Sequence, residues 1–227
     1  MLVTAGPTHE PLDAVRFIAN RSSGRLGIAL AAEAVDRGWP TTLLLGPTPL
    51  KCSDTRVSTI RFSSTADLEA LLARHAPECD CLLMAAAVAD YRPRQDLSAS
   101  PKVRRHDKGL TLRLEATPDL IAGVAKTRRP DQLLVGFALE PRETLLASAK
   151  AKLIRKGIDL MVANPLETMD SDSIEAMLIE RSGGSREDAR LTDSTPGSIS
   201  KAEFARWLID RLSHRLAQAR PAGCGMV

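Results

Sequence analysis

The sequence predicts an α/β fold, one domain built on a mostly parallel sheet with helices on both faces and a small β-hairpin or lid extension. Three observations predict it. Short apolar runs alternate with segments of helical period along nearly the whole chain, the pattern of repeated strand–helix–strand units. The run Cys81–Ala89 is apolar without a break, as a central parallel strand covered on both faces must be. The first apolar run, Leu2-Val3, passes through Gly6-Pro7 and a polar stretch into Ser22-Ser23-Gly24 and a helical pattern from Leu26 to Val35; that is a strand, an irregular loop and a helix start.

Taken in order, Leu2–Thr4 is the first strand, and Gly24–Asp36 is a helix closed by Arg37 as last-turn cation and Gly38 as cap. Thr41–Leu45 is a strand stopped by Gly46-Pro47, and Thr59–Phe62 is a short one. Ser64 caps a helix over Ala66–Arg74. The Cys81–Ala89 strand and the polar, aperiodic stretch Gln95–Gly109 follow, then a strand at Thr111–Leu114. Thr117 is the expected N-cap and Pro118 the first residue of a helix running through Ala125. Leu133–Ala138 and Leu160–Ala163 are buried strands flanking the amphipathic helix Glu143–Lys156. Ile174–Glu180 is a strand, Gly183–Asp193 a hairpin tip with a return strand, and Ser200 caps a last helix, Ala202–Ala219. The domain is expected to span residues 1–219, with 220–227 a frayed tail.

Composition narrows the function classes. At 227 residues with 44% hydrophobic and 26% charged content, the chain can bury a substantial core. Aromatics make up only 3%, so Leu, Val, Ile and Ala must fill that core, and the scarcity argues against base-stacking platforms for single strands. Net charge is +3 and no basic run is long enough to form a nucleic-acid arm. Cys52, Cys79, Cys81 and Cys224 form no C-x-x-C pair and no His lies at metal-ligand spacing, which points to free thiols in a reducing compartment. No signal peptide and no apolar run of about 18 residues is present, so a cytoplasmic protein without membrane or nucleic-acid partners is expected.

Three stretches carry chemistry. Ser22 and Ser23 are N-cap candidates, and Gly24 and Gly27 allow close approach of backbone or ligand. The free amides and dipole at such a helix start suit a phosphate or carboxylate. The run ending Ala86-Ala87-Val88-Ala89-Asp90 places small residues and one carboxylate where open α/β sheets bind nucleotides. Lys102, Arg104, Arg105 and Lys108 lie in the aperiodic stretch, a solvated loop or a lid that brings cations over phosphates. Lys150, Lys152, Arg155 and Lys156 complement a helix C-terminus. Phe137 is core or a surface for a base. A strict G-x-G-x-x-G fingerprint is absent, and Gly46-Pro47 ends the second strand where a ribose-binding acid would stand; both count against a nicotinamide-cofactor enzyme. A non-catalytic nucleotide-binding or dimerisation module is the rival of another class.

From Val3 to about Leu216 the chain resembles bacterial phosphopantothenoylcysteine synthetase, the second activity of the coenzyme A bifunctional enzyme. The likeness rests on Thr4-Ala5-Gly6-Pro7-Thr8, Glu10-Pro11-Leu12-Asp13, Asn20-Arg21-Ser22-Ser23-Gly24 and Ala86-Ala87-Val88-Ala89-Asp90-Tyr91. It continues in Pro101-Lys102-Val103, Thr117-Pro118-Asp119-Leu120-Ile121, Val135-Gly136-Phe137-Ala138, Lys152-Leu153-Ile154-Arg155-Lys156 and Val162-Ala163-Asn164, in the family's order. The departures are Leu139 and Pro141 in the Gly-Phe-Ala segment, an extra residue before Lys152, Pro101, and Arg104-Arg105 in place of lysines.

The resemblance implies a Rossmann-like fold, a dimer, and a ligase joining 4′-phosphopantothenate to L-cysteine. In such enzymes CTP activates the carboxylate as a 4′-phosphopantothenoyl-cytidylate with release of diphosphate, Mg2+ assists, and the cysteine amine displaces CMP. It implies Asn20, Arg16 and Lys102 as catalytic residues. It implies nucleotide contacts by Ala86, Ala87, Asp90, Lys102, Pro118, Asp119, Leu120, Ile121, Phe137, Lys152 and Lys156, with Asp90 toward the metal. Asn20 would hold the acyl intermediate, and Ser22, Ser23 and Gly24 the substrate's phosphate. Bacterial members carry a flavin-dependent decarboxylase ahead of this domain, so such a domain or chain is an implied partner.

Overall fold

The structure, a computed structural model, describes residues 1–94, 109–181 and 188–219. The expectations for Lys102 with the rest of 95–108, for the hairpin tip at 182–187, for the 220–227 tail and for Cys224 lie outside the described residues. An eight-stranded sheet organises the chain. Its order is β13 (Ala189–Ser194), β12 (Met177–Arg181), β10 (Leu160–Pro165), β9 (Leu133–Glu140), β6 (Cys81–Met84), β1 (Leu2–Ala5), β4 (Thr42–Leu45) and β5 (Ser58–Arg61). The strands from β10 to β5 pair in parallel, while β12 and β13 add an antiparallel edge.

Alternation along the strands sorts side chains onto two cores. Val3, Ala5, Leu43, Leu45, Leu83, Val135 and Val162 face α1 (Arg25–Asp36) and α5 (Lys201–Ala219). Leu2, Leu44, Leu82, Leu134, Met161 and Ala163 face α2 (Thr65–His75), α3 (Leu120–Thr127) and α4 (Leu145–Lys156). Both faces are thus covered, as the unbroken apolar strands require. Three small ladders stand outside the sheet: β2 (His9–Pro11) with β3 (Phe17–Ala19), β7 (Tyr91–Pro93) with β8 (Leu114–Ala116), and β11 (Ser173–Ile174) with β14 (Ile199–Ser200).

The caps decide where helices start. Ser64 and Ser200 each form a capping box, with Asp67 and Glu203 returning the bond to the cap amide. Ser22 and Ser23 do not cap α1. Gly24 does, in the left-handed conformation (φ 75°) with no side-chain cap, and the two hydroxyls reach the Gly24 and Arg25 amides only at 3.4 Å. Thr117 does not cap α3 either; Asp119 accepts the Ala122 amide, and Pro118 precedes the helix. The Thr117 hydroxyl is taken by the Ala89 carbonyl.

Other differences are changes of register or length. Met84 ends the strand expected to run to Ala89. The strand at Thr111–Leu114 forms at Leu114–Ala116, because its pairing with β7 sets the register. The Ile174–Glu180 strand splits into β11 and β12. The β2–β3 hairpin has no counterpart among the expected elements.

Gly27 is the close approach that seats α1 on the sheet. A Cβ there would lie 2.4 Å from the Ala5 Cβ. Gly27→Ala is therefore expected to cost about 1–3 kcal/mol as overpacking, and to lower Tm by roughly 2–10 °C. Thermal unfolding followed by circular dichroism checks this.

Candidate functional site

Numbered in chain order, the six parallel strands run 3-2-1-4-5-6 across the sheet. The order reverses between β1 and β6, and ligands of open α/β sheets bind outside the carboxyl ends at such a reversal. Two loops leave the sheet there. After β1, Gly6 turns at φ 80° and its carbonyl accepts the Ala87 amide at 2.9 Å. After β6, the chain through Ala86–Asp90 is held by hydroxyls: Thr4 Oγ1 accepts the Ala86 amide (3.0 Å) and Thr8 Oγ1 the Ala89 amide (2.9 Å). From the other side, Thr117 donates its hydroxyl to the Ala89 carbonyl (2.5 Å) and its amide to the Asp90 carbonyl (3.0 Å). Asn20 Nδ2 donates to the Val88 carbonyl at 2.8 Å.

These loops wall two adjoining chambers. The larger, about 610 Å³, is lined by Asn20, Ala86, Ala87, Asp90, Pro118, Asp119, Leu120, Ile121, Phe137, Lys152 and Lys156. All the expected nucleotide positions among the described residues therefore meet in one cavity, from four separate stretches of chain. Lys152 pairs with Glu140, and Lys156 Nζ lies 2.6 Å from Asp119 Oδ2. The smaller chamber, about 210 Å³, is lined by Ser22, Ser23 and Gly24 together with Arg21, Arg25, Asn164, Asp170 and Lys201. Ala86, Ala87, Phe137, Leu139 and Met169 belong to both.

Arg16 lines neither chamber. It stands at the turn of the β2–β3 hairpin, its guanidinium 2.5 Å from Asp13, whose other oxygen accepts the Val15 and Arg16 amides. No group of three or more potential metal ligands occurs among the described residues. Asp90 is exposed at the mouth of the larger chamber. One carboxylate fits a Mg2+ carried chiefly by nucleotide phosphates and water, and does not fit a protein-built cage.

Sequence reasoning missed Arg21, Arg25, Asn164 and Lys201 in the smaller chamber. Arg21 pairs with Asp170 and Arg25 with Asp172, and Asp170 holds the left-handed conformation at φ 58°. Lys201 is half-buried at the start of α5, and burial, with the Arg25 charge adding to it, lowers its pKa. Only the fold brings Lys201 to the start of α1, so no local pattern announces it. One chamber carries an amide donor and two ion-paired lysines; the other carries a helix start without a close side-chain cap and the half-buried Lys201, which lies in the fields of Arg25, Asp172 and Asp170.

The fold and site define a doubly wound α/β protein with a two-chambered crevice at its topological switch point. The profile of the DNA/pantothenate metabolism flavoprotein C-terminal domain matches residues 1–216, and the chain belongs to that family. The coenzyme A biosynthesis bifunctional protein CoaBC of Mycobacterium bovis is 38% identical over 96% of this chain and 52% of its own length. A cysteine/cysteine sulfinic acid decarboxylase from an unknown prokaryotic organism is 41% identical over 74% of this chain and 46% of its own. The chain thus spans about half the length of these curated relatives. The crystal structure of the C-terminal domain of CoaBC superposes with a TM-score of 0.76 at 29% identity, covering 96% of this chain and 95% of that one. No helix among the described residues is long and apolar enough to cross a membrane.

Proposed function

We propose that the chain is a phosphopantothenate–cysteine ligase of coenzyme A biosynthesis that uses CTP. The observation that supports it most is the convergence of the expected nucleotide positions on one chamber, with Asn20 at its edge and a second, cationic chamber adjoining it. The reading assigns the nucleotide to the larger chamber and the phosphate of 4′-phosphopantothenate to the smaller. A pantothenate carboxylate oxygen attacks the α-phosphorus of CTP, the bond to the β-phosphate bridging oxygen breaks, and diphosphate leaves. The cysteine amine then attacks the acyl carbonyl, loses a proton, and CMP departs with the bonding pair.

Each residue type suits its step. Lys152 and Lys156, with Lys102 of the undescribed segment, offset the repulsion between carboxylate and triphosphate. Mg2+ would sit on the phosphates beside Asp90 and supply further charge neutralisation. The Asn20 carboxamide offers an N–H to the acyl or phosphoryl oxygens without adding charge, and its bond to Val88 fixes its direction. Ser22, Ser23, the α1 amides and Lys201 offer donors to the substrate's phosphate.

The same reading makes the protein a homodimer. The β2–β3 and β7–β8 hairpins adjoin and leave Val15, Phe17, Tyr91, Leu110 and Leu114 exposed, Val15 by 63% and Tyr91 by 56%. Exposed apolar side chains on adjoining hairpins suit burial against a second copy, and Arg16 on the β2–β3 hairpin would then face the partner's site. A flavin-dependent decarboxylase, as a further domain or a separate chain, is the proposed functional partner.

Incubation with phosphopantothenate, CTP, Mg2+ and cysteine is expected to release diphosphate; no release with CTP or ATP overturns the reading, and CO2 from cysteine sulfinic acid instead would favour a decarboxylase. Asn20→Asp is expected to keep part of the diphosphate release and lose most amide formation; equal loss of both would remove the role given to that side chain. Lys201→Met should raise the KM for phosphopantothenate about tenfold, the loss of one charge-assisted hydrogen bond, and leave that for CTP within twofold. Phe17→Asp is expected to shift the protein to monomer in analytical ultracentrifugation.

A further inference from the structure

Glu10 is a buried carboxylate with no part in the reaction as proposed. It lies on β2 and is 2% exposed. Its partners among the described residues both belong to Thr65: the amide at 2.8 Å and the hydroxyl at 2.6 Å. Thr65 opens α2, so the carboxylate also lies at the positive end of that helix. The Thr65 hydroxyl shares a 3.2 Å hydrogen bond with the Thr8 hydroxyl. Thr8 Oγ1 in turn accepts the Ala89 amide, and Ala89 sits between Val88, which holds Asn20, and Asp90. Thr8 and Thr65 are completely buried, so no water competes for these bonds.

A second route joins the same two residues. Glu10 stands opposite Ile18 in the β2–β3 ladder, and Asn20 follows Ile18 by two positions. The carboxamide is thus anchored through its backbone by the hairpin and through its side chain by the loop after β6, and Glu10 contributes to both. We propose that Glu10 is a positioning residue which, through Thr65 and Thr8, fixes the 88–90 loop and so aims the Asn20 carboxamide. This rests on the ligase reading above. Loosening of the 88–90 loop disturbs one wall of the nucleotide chamber and leaves the walls at Pro118–Ile121, Phe137 and Lys152–Lys156 in place, so the amide-forming step should suffer more than diphosphate release. Misplacement of a catalytic group by about 1 Å is enough for large losses in rate.

The variants are Glu10→Ala, Glu10→Gln and Thr65→Val, each made in the wild-type and Asn20→Ala backgrounds. Thr65→Val keeps the side-chain shape and the amide bond to Glu10, and cuts only the hydroxyl link. In the wild-type background, Glu10→Ala and Thr65→Val are expected to lower the amide formed per diphosphate released about tenfold, and in the Asn20→Ala background to lower it no further. Glu10→Gln, which keeps the accepting oxygen, should restore the ratio to within about threefold. An equal drop in both backgrounds, or a lower Tm with an unchanged ratio, overturns the proposal. If Glu10→Ala does not fold by circular dichroism, Thr65→Val decides. Amide hydrogen exchange separates the two levels of failure. A wild-type protein that releases no diphosphate removes the ligase reading. Unchanged exchange at Ala89 in Thr65→Val removes the proposed link, whereas faster exchange there with β1 amides still protected supports it.

Discussion

Three threonine hydroxyls, two of them fully buried, hold the crevice open. A loop at the carboxyl end of a parallel sheet must expose backbone amides to the ligand, yet any amide turned inward has to find a partner. Thr4 and Thr8 accept the Ala86 and Ala89 amides of the loop after β6, the Gly6 carbonyl accepts the Ala87 amide, and Thr117 donates its hydroxyl and its amide to the Ala89 and Asp90 carbonyls. The backbone between Ala86 and Asp90 is therefore fixed without bulky side chains, and the space above it stays free. Alanines there are the result of that division of labour: the anchoring groups sit on neighbouring segments, and the anchored residues need no side chains of their own.

Glycine makes the complementary contribution. Gly6 turns the chain into the crevice, and Gly27 lets α1 settle against Ala5 close enough for its first turn to reach the smaller chamber. The helix start carries no close side-chain cap, the Ser23 hydroxyl reaching the Arg25 amide only at 3.4 Å, and Gly24 to Gly27 line the chamber. Structure and chemistry are joined at this point, because a helix seated farther out would leave the Lys201 and Arg25 cations without a common focus.

Much of this was legible in the amino-acid sequence, and the exceptions have physical causes. Buried parallel strands read as apolar runs, and Ser64 and Ser200 announce their helices through acidic partners three residues on. Ser22, Ser23 and Thr117 look just as suitable, but a cap depends on backbone conformation. Gly24 in the left-handed region takes the position from the serines, and a carbonyl 28 residues away takes the Thr117 hydroxyl. The β2–β3 ladder, three residues a side with Pro11 in one of them, is too short to show periodicity; His9 is held by the Ser63 carbonyl and stacks on Phe17. Positions such as Asp90, Asp119 and Phe137 were legible because a family pattern marks them. Lys201 and Glu10 meet groups tens of residues distant, Arg25 and Thr65, and nothing in their local sequence reveals such neighbours.

The rims of the sheet carry one more consequence. β5, at one margin, presents Ser58, Thr59 and Arg61 outward; β13, at the other, carries Arg190 and Asp193 and is offset by a bulge against β12. Polar, kinked margins of this kind resist the addition of another chain's strand. Growth of the sheet from molecule to molecule is thereby discouraged at both ends, which guards a fold rich in backbone edges against running on into a fibre.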